Sequence, residues 1–190
     1  MIRRIIAAAF AALALAACSE SPEYTPLEEA VLSHIKARVG PEATFKVTKI
    51  VKADSLTTGQ LYEQRIKAFK VKKDQDTKYY EKYKAKKMEA NAEKHKKGME
   101  KDALILKGLE EMRPAIEAKS SEIVCYDYTV SGSAEDKDVV TVFEDFWVAI
   151  SPEGEVLSTN HTRRGLHKGF GKFLDGYIGL LATAGDLDDE

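Results

Sequence analysis

The sequence predicts an α+β fold: an N-terminal helix packed on a curved antiparallel sheet, with a long helical-hairpin insertion. Three observations carry that prediction. Within residues 27–39, Leu27, Val31, Leu32, Ile35 and Val39 recur at helical spacing. Residues 60–118 are rich in Lys, Glu, Ala, Met and Gln, all good helix formers. Residues 122–163 turn to β-branched and aromatic runs separated by turn residues. One helix on a curved antiparallel sheet is an economical way to bury those apolar faces.

The first helix is bounded on both sides. Thr25 precedes Pro26, and Glu28 follows three residues after Thr25, a capping-box pattern. Gly40-Pro41 stops the helix. Residues 44–51 (TFKVTKIV) form the first strand candidate, with Phe45 and Val47 alternating with polar Thr44, Lys46 and Thr48. Asp54-Ser55 and Thr57-Thr58-Gly59 then mark a loop and the start of a helical region.

Within the helical region Tyr62, Ile66, Phe69, Tyr80 and Tyr83 form one stripe, and Ile105, Leu109, Met112 and Ile116 a second. Gly98, between them, is the expected turn of the hairpin. Pro114 is expected to kink or shorten the second helix. Residues 63–101 carry 14 Lys or Arg against 7 Asp or Glu. A helical pair needs only a narrow apolar seam, so most of this surface can be charged.

The late strands are expected at 122–130, 139–150 and 155–163, with a hairpin loop at 131–136 and a turn at 151–154. On the middle strand, strict alternation puts Val140, Val142, Phe146, Val148 and Ile150 on one face, with Glu144 the exception. Phe143 and Trp147 then lie on the other, so the strand reads as central. Leu166, Phe170, Phe173, Leu174, Tyr177, Ile178 and Leu181 follow helical spacing. Interleaved glycines weaken a free helix there, and the segment needs a surface to lie on.

The chain opens differently. Arg3 and Arg4 precede an apolar run, 5–17, ending in Leu15-Ala16-Ala17-Cys18. Charge, short apolar run and small residues, in that order, make a secretory signal. The run is shorter than the roughly 20 residues that span a bilayer. Leu-Ala-Ala-Cys resembles the lipobox of bacterial lipoproteins. That resemblance implies cleavage before Cys18, lipid on its thiol and acylation of the new amine. Ser19, rather than Asp, follows Cys18. By the family's sorting rule this implies the outer membrane, where the cell has two.

The expected organisation is therefore a signal peptide (1–17), a lipidated Cys18 with tether (18–26), and one α+β domain (27–185). The domain carries the insertion at about 60–118, and an acidic tail (186–190) follows. The protein is expected in the cell envelope, held to the membrane through lipid on Cys18.

Cleavage would leave 27 basic and 31 acidic residues, with no overall basic excess to suggest nucleic acid. With Cys18 lipidated, Cys125 is alone and no intramolecular disulfide is available. Cys125 is expected as a small buried hydrophobe in a strand.

Few residues point to chemistry. The histidines are His34, His95, His161 and His167; the six-residue gap between the last two fits no standard zinc spacing. Glu144 and Asp145 are adjacent on a strand, so they point to opposite faces and form no acid–base pair. Glu144 is either a shifted carboxylate or one paired with Lys or Arg. Ser120 and Ser121 lack a nucleophile-elbow pattern, and the glycines near Gly169 lack the P-loop ending. No catalytic, cofactor-binding or metal-binding residue is expected.

The lipobox, the first helix, the TFKVTKIVKADS strand, the Lys- and Tyr-rich hairpin and the late strands together resemble uncharacterised bacterial lipoproteins with a cystatin-like or NTF2-like α+β domain. The resemblance supplies no catalytic residues. The function expected is a non-catalytic protein-interaction module, the 60–118 hairpin meeting an envelope protein partner. The alternative is a small-ligand-binding lipoprotein, using the concave sheet such folds offer, with a cavity behind the first helix and an apolar ligand. An enzyme is the third reading, disfavoured because no acid–base–nucleophile set is visible.

Overall fold

The structure, a computed structural model, describes residues 23–40, 42–136 and 139–185. The signal segment 1–17, Cys18, residues 19–22 of the tether and the tail 186–190 lie outside the described residues. Among the described residues no helix is long and apolar enough to cross a membrane.

Helix α1 (Pro26–Val39) starts where the capping box places it. The Thr25 hydroxyl accepts from the Glu28 amide at 3.3 Å, and the Thr25 amide donates to the Glu28 carboxylate at 2.8 Å. The helix ends at Gly40. Strand β1 (Thr44–Thr57) follows, then α2 (Thr58–Ala85), α3 (Glu89–Glu117), β2 (Ile123–Asp136), β3 (Val139–Ile150) and β4 (Val156–Asn160). The chain finishes with α4 (Arg163–Leu166), a 3₁₀ turn (Phe170–Phe173) and α5 (Tyr177–Ala184). The four strands form one antiparallel sheet in the order β1-β2-β3-β4. The fold is therefore α+β, with a helical pair entering between the first two strands.

The sheet has a core on each face. Toward α1, Val31 and Ile35 meet Tyr128, Val130, Val148 and Ile150. On the other face Cys125 and Ala149 meet the base of the helical pair and the C-terminal segment. There Leu61, Ile105, Leu109, Leu166 and Leu181 have essentially no exposed surface. Burying each such side chain contributes roughly 1.5–3 kcal/mol.

Several local expectations are corrected. β1 runs on through Asp54 and Ser55, which pair with Asp127 and Tyr126 instead of forming a loop. Polar residues are tolerated because β1 is an edge strand, bulged between Lys52 and Asp54. The hairpin loop expected at 131–136 is strand, and β2 pairs with β3 out to Asp136 and Val139.

The faces of β3 also differ. Val130 pairs with Phe146 but Gly132 with Phe143, so Ser131 alone faces Glu144 and Asp145. This bulge, with Asp145 at φ 44, reverses the alternation beyond it. Phe143 joins the α1-side core and stacks on Phe45 at 5.6 Å, while Val140 and Val142 are 60% and 67% exposed. At Gly132 a Cβ would lie 2.3 Å from the Lys46 carbonyl oxygen, so the strands close up only over glycine.

The turn between α2 and α3 is at Lys86–Met88, not at Gly98. Gly98 lies inside α3 against Asp76 of α2, which leaves no room for a Cβ. α3 continues through Pro114 and ends three residues later, at Glu117. The C-terminal segment is three short pieces rather than one helix, broken at Gly169 (φ 78) and Gly176 (φ 84). The surface it needs is the core under the sheet, where Leu166, Phe170, Leu174, Tyr177 and Leu181 are buried.

Candidate functional site

β2 alternates Cys125, Asp127 and Thr129 toward the hairpin side and Tyr126, Tyr128 and Val130 toward α1. Asp127 therefore enters the core as a carboxylate, 1% exposed. A lone buried charge is costly, so it must find partners. Two are present. Cys125, two residues earlier on the same face, donates its S–H to Asp127 Oδ1 at 3.5 Å. His167 Nε2 lies 2.9 Å from the same oxygen and, with a carboxylate facing it, carries the hydrogen.

His167 is brought there by the C-terminal segment. Asn160, at the end of β4, accepts from the Thr162 amide at 3.0 Å and shapes the turn into α4. Leu166 and Phe170, buried on either side, draw His167 inward, and its ring packs against Phe170 at 5.2 Å. The Arg65 guanidinium of α2 donates to the His167 carbonyl at 3.1 Å and lies over the Tyr177 ring.

Cys125 Sγ is 3.9 Å from His167 Nε2, so three potential donor atoms converge. They are not a nucleophile pair as they stand. The ring nitrogen facing the sulfur is the one bonded to Asp127, so it has no free lone pair for the thiol proton. Burial, and next the Asp127 charge, push the Cys125 thiol far above its usual range. Cys125 is 0% exposed, as the sequence leads one to expect of a buried strand residue.

Asp127 and His167 form part of the floor of a groove enclosing about 1650 Å³. One wall is α2, from Gly59 to Gln75; the other is α4 and its flanks, from Thr162 to Lys168. The lining holds six Arg or Lys and three Asp or Glu. Arg163, Arg164 and Lys168 are on one side, Lys67 and Lys72 on the other. Arg163 pairs with Asp54 of β1 and lies over the Trp147 ring. The Asp54 carboxyl is held below its usual range, first by the Ser55 amide and then by Arg163. Asp127 Oδ2 is buried with no hydrogen-bond partner. The groove lies on the face opposite α1, not behind the first helix.

The other residues weighed from sequence are elsewhere. Glu144 is exposed at the β3 bulge, and Ser120 and Ser121 are exposed at the end of the helical pair. His161 is exposed, edge-on to Phe146 at 5.2 Å. His34 is on α1. His95 joins the two long helices: its Nδ1 is 2.7 Å from Asp76, and its ring packs against Tyr79 and Tyr83, which also stack on each other. Asp127 was missed. The available signal was a charge two residues from Cys125 on one face of an otherwise apolar strand. The meeting with His167 is tertiary and has no local signature. No family model, curated protein or solved structure matches this chain.

Proposed function

We propose that this protein is a lipid-anchored cell-envelope binding domain whose groove takes a small anionic ligand. The anchor rests on the lipobox at Cys18. The observation that carries the ligand reading is Asp127, a groove-lining residue whose buried Oδ2 has no hydrogen-bond partner, in a groove rimmed by Arg163, Arg164 and Lys168. A floor acceptor with cations above it suits a molecule carrying an O–H or N–H donor and, a few ångströms away, a carboxylate or phosphate. A purely apolar ligand would leave these groups desolvated and unpaired.

Trp147 is the chain's one tryptophan and sits under Arg163, so its fluorescence reports on the groove. The full chain would be titrated at low salt with inorganic phosphate, citrate and a sugar phosphate. The reading expects a saturable change with at least one, and stabilisation of about 2.7 kcal/mol at 100-fold Kd. The double substitution Arg163→Gln, Arg164→Gln should weaken it at least about 10-fold, since charged hydrogen bonds contribute roughly 1.5–3 kcal/mol each. A response to none of the three, or one unchanged in the double variant, would sink it.

The interaction-module reading keeps one specific support. Between residues 70 and 101 Ala92 is the only buried residue, so the far half of the helical pair packs on little but itself. Its Lys-rich surface suits an acidic envelope protein. A photo-crosslinker at Lys84 that captures one recurrent protein in cells would establish that role, and only lipid or no adducts would remove it.

A further inference from the structure

We propose that Cys125, Asp127 and His167 bind one divalent transition metal of the zinc type, with its fourth coordination position open to the groove.

The three donors are spaced as one face of a tetrahedron. Zinc bonds of roughly 2.0–2.3 Å at tetrahedral angles place neighbouring donor atoms about 3.3–3.6 Å apart. Here the edges are 3.5 Å (Sγ to Oδ1), 3.9 Å (Sγ to Nε2) and 2.9 Å (Nε2 to Oδ1). Small rotations of the Asp127 and His167 side chains close the difference. The second, independent observation is Asp127 itself. Asp127 is 1% exposed and borders the groove, and its buried Oδ2 lacks any hydrogen-bond partner. A buried carboxylate oxygen with no donor is costly, and a cation beside it removes that cost.

The donor chemistry selects the metal. One thiolate, one imidazole and one carboxylate suit zinc or cobalt rather than magnesium or calcium, which favour oxygen-only shells. On binding, the metal–sulfur bond replaces the Cys125 S–H bond and that proton leaves to solvent. The His167 hydrogen moves to Nδ1, freeing the Nε2 lone pair for the metal. Thiolate and carboxylate together then balance a dication. Asp127 and His167 border the groove while Cys125 lies beneath them, so the uncovered face of the triangle is the groove side. The proposal stands on the donor geometry and not on the anionic-ligand reading, although an anion held by Arg163 could fill the fourth position.

The test uses cobalt(II), whose spectrum reports thiolate ligation directly. The full chain carrying Cys18→Ser has Cys125 as its only thiol. Reduced and freed of metal by chelator, it is titrated with Co²⁺. The proposal expects one equivalent, a thiolate-to-cobalt charge-transfer band, tetrahedral d–d bands, and displacement by Zn²⁺. Cys125→Ser should abolish the charge-transfer band while circular dichroism shows the fold intact. Asp127→Asn and His167→Gln, if folded, should each lower affinity at least about 10-fold. A folded parent with no charge-transfer band, or a band surviving in Cys125→Ser, would overturn the proposal. A phosphate titration of the same metal-free protein, read from Trp147, decides the ligand reading separately, so the two can fail independently.

Discussion

Asp127 and His167, forty residues apart, meet at 2.9 Å beneath the groove, and this contact ties the centre of the sheet to the C-terminal segment. Removing one member of a buried pair costs about 3–5 kcal/mol, because the other charge stays buried without it. His167 keeps 14% of its side chain exposed, so some solvent relief is available. His167→Ala should lose about 3 kcal/mol in urea denaturation of the metal-free protein. Replacing both by Leu should recover much of that loss, because no buried carboxylate is then left. A His167→Ala variant as stable as the parent would show that the pair contributes nothing to the fold.

Asp145 sits at φ 44, where only glycine is unstrained and Asp or Asn is tolerated. Its amide donates to Ser131 Oγ at 3.0 Å, while its ion pair with Lys49, 3.8 Å and largely exposed, contributes almost nothing. Asp145→Gly should therefore stay within about 0.5 kcal/mol, relief of strain offsetting the freedom glycine gains in the unfolded chain. Asp145→Val, β-branched at a left-handed position, should cost about 1–3 kcal/mol. Equal midpoints for the two in urea would mean that the bulge is not held in this conformation.

The same bulge explains what the sequence left illegible. The fold class, the Thr25–Glu28 cap, the two helical stripes and the central position of β3 each rest on local period or composition, and local signals survive folding. The extra residue at Glu144–Asp145 has no compositional mark, yet it inverts Val140, Val142 and Phe143. The hairpin turn was misplaced for a related reason. Gly98 looked like a breaker, whereas its function is close approach to Asp76, which only the packed pair reveals. At the candidate site, Cys125 was legible as buried and His167 as part of a segment seeking a surface. Their meeting with Asp127 depends on how that segment folds back, which no spacing encodes.

His34 on α1 supplies a pH dependence. Its folded pKa is lowered from 6.5, first by burial and then by Arg38 four residues on. Above the unfolded value both states are neutral, and His34 leaves stability unchanged. As pH falls below it, the unfolded chain takes up the proton first, so stability drops, and the loss is complete below the folded value. Carboxylates add their own acid losses, so the comparison with His34→Gln isolates the effect. The variant should lose less stability than the parent between pH 7 and 5, measured by urea unfolding. Parallel pH profiles would refute the assignment.

The helical pair divides into two energetic regimes. Near the sheet, Leu61, Tyr62, Ile66, Ile105 and Leu109 are buried, and the Tyr62 hydroxyl donates to the Leu109 carbonyl at 2.8 Å. Leu109→Ala should cost about 2–5 kcal/mol there. Beyond residue 70 the two helices hold each other through the Lys72–Asp102 ion pair, Ala92, the Asp76–His95 contact and the packing of His95 on Tyr79 and Tyr83. A seam so narrow can open without the sheet, as a sub-global unit of lower free energy. Native-state hydrogen exchange should show amides near Lys84 exchanging through a local opening that denaturant barely affects. Those near Leu109 should exchange only with global unfolding. Asp76→Ala should speed the first group and leave the second unchanged. Uniform protection along both helices would mean that the far half is as firmly held as the base.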